Sequence, residues 1–235
     1  MLYRIRAYWR FLKRSTNEHG VHSPFVFALV TECFYTKTAL HMMQRYALFK
    51  KAVIENNAYE AVPLLKDKEA FLLLRLFAYR NIQNYLDLGV CAPLASHCAQ
   101  IAAPKARILR WKTEESTVEW NSEKGTQEAA NLKEDGLGGV EELEKKFLHG
   151  KKYDLIVFGS ALPTENVFIY FQKALGAVAN ETIFIFEGIH SNAEKDKTWN
   201  RIQKHARVRV TIDVFSWGMV FFRKEQAKEH FTIRI

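Results

Sequence analysis

A tight reversal near the end of the chain constrains the fold more than any other feature. Residues 207–215 and 217–223 are two runs rich in β-branched and aromatic residues, with only Ser216 between them. No helical crossover fits so short a link, so the two runs pair as an antiparallel hairpin. Upstream, the pattern alternates. Residues 83–88, 106–111, 153–158 and 181–187 read as short apolar strands, and 94–103, 164–176 and 193–206 read as helices between and after them. Strands that alternate with helices imply parallel pairing and a sheet covered on both faces. The expected fold is therefore α/β and Rossmann-like: a mostly parallel sheet that ends in an antiparallel C-terminal hairpin, with helices on both faces. A polar helix is expected over 113–124, no firm strand over 125–140, and a last short strand over 230–234.

The first third reads as helical. Over 2–13, Leu2, Ile5, Trp9 and Leu12 fall on one face, and Arg6, Arg10 and Lys13 on another. Ser23-Pro24 is a helix start: the serine can cap, and proline suits a position that needs no N–H. Further helical patterns run over 39–57 and 66–80. Residues 1–80 are thus expected to form a helical N-terminal extension packed on an α/β core of residues 81–235, the two making one structural unit.

Hydrophobic residues make up 48% of the 235, enough for a packed core rather than disorder. No apolar run approaches the length of about 18 that a spanning helix needs, and nothing reads as a signal peptide. Cys33, Cys91 and Cys98 lack a Cys-x-x-Cys spacing, which points to free thiols in a reducing, cytoplasmic setting. Cys91 reads as a small core residue. His19 and His22 lack the further ligands of a zinc site and read as fixing a turn.

The net charge is +8, and its excess sits at one end, in Arg4, Arg6, Arg10, Lys13 and Arg14. Three readings of this segment stand. It packs on its own domain with a solvated basic face; it grips RNA or another acidic partner; or it lies on an anionic membrane through Tyr3, Trp9 and Phe11. The first is the expected one.

Three sets of residues carry a resemblance. The first is His19-Gly20-Val21-His22-Ser23-Pro24-Phe25-Val26-Phe27, and the second is Leu86-Asp87-Leu88-Gly89. The third is the closing segment with Phe184-Ile185-Phe186-Glu187-Gly188-Ile189-His190-Ser191, Val210-Thr211-Ile212-Asp213-Val214-Phe215 and Val220-Phe221-Phe222-Arg223-Lys224. In these the chain resembles the class I S-adenosylmethionine-dependent methyltransferases, in particular small bacterial members with a helical N-terminal extension. The resemblance implies a cleft at the carboxyl ends of the strands, with the extension closing over it.

It also implies S-adenosylmethionine as cofactor, held near Asp87, Gly89, Val90, Trp111 and Gly159, and a small-molecule methyl acceptor. Glu187 and His190 are the candidates to take the acceptor's proton. Several family positions are changed. Lys112 stands where a ribose-binding acid is expected, and a lysine cannot accept from hydroxyls; Glu114 and Glu115 follow it. Gly159 stands where an acid is expected after the fourth strand. Of the strand-end acids that hold Mg²⁺ in the metal-dependent relatives only Glu187 remains, so no metal is expected. The alternative expectation is a pseudoenzyme that keeps the fold and binds another ligand or a macromolecular partner.

Overall fold

The computed structural model describes residues 2–55, 65–89, 93–112, 132–160 and 162–235. Five strands form the parallel body of one sheet: β1 (Asn84–Leu88), β2 (Arg107–Lys112), β3 (Leu132–Leu137), β4 (Tyr153–Phe158) and β5 (Val178–Glu187). β6 (Val210–Asp213), β7 (Trp217–Phe221) and β8 (Glu229–Thr232) complete it, in the order β3-β2-β1-β4-β5-β7-β6-β8. β7 is antiparallel to β6, as the tight link at Ser216 requires, and also antiparallel to β5. β8 then runs parallel to β6 at the edge.

The polar, glycine-containing stretch that gives no strand signal forms β3, paired parallel to β2. Its sequence Leu-Lys-Glu-Asp-Gly-Leu lacks β-branched residues; the exposed ladder of β2 supplies the pairing that propensity does not. The helix expected over 113–124 lies outside the described residues.

Each central strand sends alternate side chains to opposite layers. Leu155, Val157, Ile183 and Ile185 pack into one cluster with α4 (Asp67–Arg80) and α5 (Pro93–Ala102). Ile156, Phe158, Phe184 and Phe186 pack into the other with α7 (Thr164–Ala174) and α8 (Ala193–Lys204). Phe158 stacks on Phe186 at 4.2 Å between ring centres, and Phe184 meets Phe222 edge-on at 4.8 Å. Contacts of this kind add about 0.5–1.5 kcal/mol beyond area burial.

The N-terminal helices are α1 (Leu2–Arg14), α2 (Pro24–Leu29) and α3 (Leu40–Glu55), with α2 running on through a wider π-type turn at Val30–Phe34. Ser23 caps α2, its hydroxyl accepting the Val26 N–H at 3.5 Å. Arg75 on α4 closes the far end of this unit. It donates to the carbonyls of Cys33 and Phe34 at 2.8 and 2.9 Å and to Thr38 Oγ1 at 2.8 Å. A planar fork with fixed donors satisfies carbonyls that the helix end leaves open.

α1 docks against the turn between β6 and β7, with Ala7 and Phe11 buried. Phe11 and Tyr8 pack on Phe215, the turn residue, at 5.4 and 4.9 Å. The face of α1 that makes these contacts is not the apolar stripe marked in the sequence. Leu2, Ile5 and Trp9 point to solvent, because the docked side is made by two small contacts and by polar anchors from Tyr3 and Arg10.

Candidate functional site

The carboxyl ends of β1, β4 and β5 meet at the top of the sheet. Asp87, one residue before the end of β1, is fully buried and accepts from Ser96 Oγ at 3.2 Å. Gly89 follows with φ +82°, a conformation glycine adopts without strain. Its N–H donates to the Trp111 carbonyl, and the Gly159 N–H donates to the Leu88 carbonyl, both at 2.8 Å. The strand ladder therefore continues one residue past each strand and holds the three loop starts together. A side chain at Gly89 would meet Leu162 Cγ at 2.4 Å. What the glycine accommodates is Leu162.

Trp111 is not displayed in the cleft. It is fully buried in the α7/α8 layer, and its Nε1–H donates to the Gly138 carbonyl at 3.2 Å. Ile108 on the same strand faces the other layer, whereas the odd positions Leu109 and Trp111 turn into this one. Its contribution to the strand ends is the carbonyl that holds Gly89. Val90, with Glu114 and Glu115, lies outside the described residues.

Beside these ends opens a cleft of about 230 Å³ lined by Glu187, Ser160, His190, Phe215 and Trp217, with Glu69 and Arg4. Glu187 terminates β5, and its Oε2 accepts the Ser160 N–H at 3.1 Å. Burial pushes its carboxyl up to about 7, a rise that the Ser160 N–H and Lys195 moderate and the charges of Asp87 and Glu69 reinforce. Lys195, on the first turn of α8, donates to the Ser160 carbonyl at 3.0 Å. Burial holds its ammonium below the ordinary lysine value, opposed by the Glu187 charge. The two peptide groups that flank Ser160 are thus held by Glu187 at the N–H and by Lys195 at the carbonyl.

His190 is held differently. Nδ1 lies 2.9 Å from Asp196 Oδ1 and Nε2 lies 2.7 Å from Asp213 Oδ2. Burial alone would lower its pKa; the hydrogen bonds and charges of Asp213 and Asp196 outweigh that, and the net shift is upward. Both ring nitrogens are engaged, so neither offers a lone pair to a ligand in the cleft. His190 lines the cleft, and the two carboxylates hold its ring as a clamp. Asp196 Oδ2 accepts from Tyr3 Oη at 2.6 Å and from Arg10 Nη2 at 3.0 Å, and Asp213 Oδ1 accepts the Phe215 N–H at 2.8 Å. The chain from α1 through His190 to the β6–β7 turn fixes Phe215 in a left-handed conformation, φ +69°, which costs a non-glycine residue about 1 kcal/mol.

Lys195 and Asp196 belong to no motif that sequence reading picks out, and Asp213 lies in the closing segment without a role assigned to it there. Asn192, which caps α8 by accepting the Lys195 N–H at 2.8 Å, is the local signal that Lys195 and Asp196 begin a helix just past the β5 end. Among the described residues, no three His, Cys, Asp or Glu side chains gather as a metal site would require, and no helix is long and apolar enough to cross a membrane.

Compared by sequence, the chain matches no family model and no curated protein. Compared by structure, it is similar to the SAH-bound methyltransferase PaMTH1 of Podospora anserina, with TM-score 0.59 and 10% identity over 87% of this chain and 97% of that one. It is similar to the O-methyltransferase TomG of Streptomyces achromogenes, crystallised with SAM, with TM-score 0.56 and 13% identity over 85% and 95%. It is also similar to the Bacillus cereus O-methyltransferase in complex with SAH, with TM-score 0.52 and 13% identity over 84% and 97%. The fold is that of the class I methyltransferases. The antiparallel β6–β7 pair is the part read from the hairpin; the insertion of β7 between β5 and β6, and the eighth strand parallel to β6 at the edge, come from the structure.

Proposed function

We propose that the chain transfers a methyl group from S-adenosylmethionine to a small-molecule acceptor seated in the Glu187 cleft. The observation that carries this reading is a strand-end carboxyl, raised toward neutrality by burial, in the lining of an open cleft at the carboxyl ends of the strands. S-adenosylmethionine, when bound, supplies the methyl group. Asp87, a buried acid near the carboxyl end of β1, is the residue assigned to its ammonium group in this reading. Gly89 and Gly159 would bound that side, and Lys112 at the end of β2 is the position that departs from the family pattern.

The chain's own residues do the rest. Glu187, its carboxyl raised toward neutrality by burial, accepts the acceptor's proton, which is the matching of pKa to working pH that a general base requires. Phe215 and Trp217 offer apolar surface to the acceptor, and the clamp at His190 keeps Phe215 in place. Positioning of donor and acceptor supplies most of the acceleration.

The test is calorimetric titration of the purified chain with S-adenosylmethionine and S-adenosylhomocysteine. Micromolar binding that weakens in a folded Asp87→Asn variant is the expected result. Absence of heat and of thermal shift at millimolar ligand overturns the reading. It would favour the second one, a methyltransferase-fold pseudoenzyme. Leu162 packed into the space beside Gly89 is the observation on that side.

A further inference from the structure

We propose that the outer face of α1 is a docking surface for an anionic lipid bilayer. Helix α1 has two apolar faces, and only one is used by the protein. The inner one carries Ala7 and Phe11, both buried, and is pinned by Tyr3 and Arg10 on Asp196. The outer one carries Leu2, Ile5 and Trp9, which are 74%, 47% and 61% exposed. Spacings of three and four residues put these side chains in one stripe along a helix about 20 Å long. Because the polar anchors hold the inner face down, the helix cannot roll to bury the stripe without giving up the bonds to Asp196.

Charge selects the occupant. Arg6 lies four residues after Leu2 and three before Trp9, and Lys13 lies four after Trp9, so both ammonium and guanidinium groups border the stripe. Among the described residues, Arg4, Arg6, Lys13 and Arg14 form no ion pair. No Asp or Glu precedes Glu18 in the sequence to neutralise them. An aliphatic and indole stripe bordered by cations is the pattern of a helix that lies in the headgroup region, apolar side inward. A nucleic acid would use the cations but leave Leu2 and Ile5 in water. A second copy of the chain would cover the stripe but set Arg6 and Lys13 against their own kind. Thirteen residues are too few to span, so the helix lies on the surface rather than crossing it. Its other edge presents Arg4 to the cleft, so a bound bilayer would sit beside the cleft mouth.

The experiment is flotation of the full chain with vesicles of phosphatidylcholine alone and of two parts phosphatidylcholine to one part phosphatidylglycerol. Tryptophan emission is followed on the same samples. The expected result is binding to the mixed vesicles, with a blue shift that Trp9→Phe reduces. The double change Arg6→Gln with Lys13→Gln should weaken binding about 30-fold, and Ile5→Ser with Trp9→Ser should abolish it. Because these side chains are exposed, circular dichroism and the melting temperature of each variant should match the parent. Failure of the parent to float overturns the proposal. So does flotation unaffected by Ile5→Ser with Trp9→Ser. Sedimentation showing a dimer that the same double change dissociates would assign the stripe to a second copy. Salt-sensitive binding of polyuridylate without vesicle binding would assign the cations to RNA.

Discussion

Replacement of Glu187 by glutamine tests the site more sharply than any other single change. The carboxyl stands at about 7 in the folded chain against an ordinary 4.5, so folding favours its neutral form. The associated stability is present below the ordinary value and is lost as pH rises from there through about 7. At about 1.4 kcal/mol per tenfold change the full loss is roughly 3 kcal/mol. The cleft admits water to this side chain, and screening reduces the expected figure to about 2 kcal/mol. Glutamine mimics the neutral acid, and its carbonyl oxygen can still accept the Ser160 N–H. Urea unfolding of parent and Glu187→Gln should therefore give nearly equal midpoints near pH 4.5 and a gain of about 2 kcal/mol for the variant near pH 8.5. Taking the difference between the two proteins removes the titration of every other group. A difference that stays flat with pH would refute the claim that Glu187 is held near neutrality, and with it the assignment of Glu187 as a base.

His190→Gln should destabilise the chain by about 2–3 kcal/mol, since it leaves Asp196 and Asp213 facing each other without their shared cation. Because the folded pKa is raised, this contribution is fully present below the ordinary histidine value and fades as pH rises through the folded one. Unfolding at pH 6 should thus show the larger deficit and pH 9 the smaller. Gly218→Ala on β7 would bring a methyl within 2.6 Å of the Trp199 ring, which is itself buried, so thermal unfolding should report a loss of about 1–3 kcal/mol. Arg75→Lys should cost about 2–3 kcal/mol in urea unfolding, because one ammonium cannot reach the three acceptors that the guanidinium serves. A loss near zero would show those bonds to be replaced by water.

The parts of this fold written in local chemistry are legible in the sequence. Ser23-Pro24 announces α2 because capping involves only the next three residues. β4 is apolar on both faces and fits its reading over the same residues. β3 is not legible, because its pairing comes from β2, across the 113–131 stretch, rather than from its own side chains. The docked face of α1 is hidden for a similar reason. The most apolar stripe of an isolated helix is the natural choice for burial. The contact that decides the matter, Tyr3 and Arg10 on Asp196, joins residues 193 and 186 positions apart.

The site shows the same division. Glu187 is found as an acid at a strand end, a matter of position. His190 is found the same way, but the carboxylates that engage both its nitrogens sit at Asp196 and Asp213 on other elements and are not read with it. Counting along β2 puts Trp111 near the cleft, but the alternation of the strand turns its ring into the core.

β8 bears on how copies of this chain could meet. Along β6 it fills the last ladder of the sheet, and Thr16 adds a parallel bridge to Ile233 just beyond it. The Thr16 N–H donates to Thr232 and the Arg234 N–H donates back to Thr16, at 2.9 and 3.1 Å. The linker leaving α1 is thus sewn onto the border of the sheet. An uncovered border strand is a template for strand addition by a neighbouring molecule, whether in orderly pairs or in aggregates. Here the neighbouring strand is supplied from within. A chain cut short before residue 229 would lose this selvedge and release the linker together with it, and edge-to-edge self-association would then compete with correct folding.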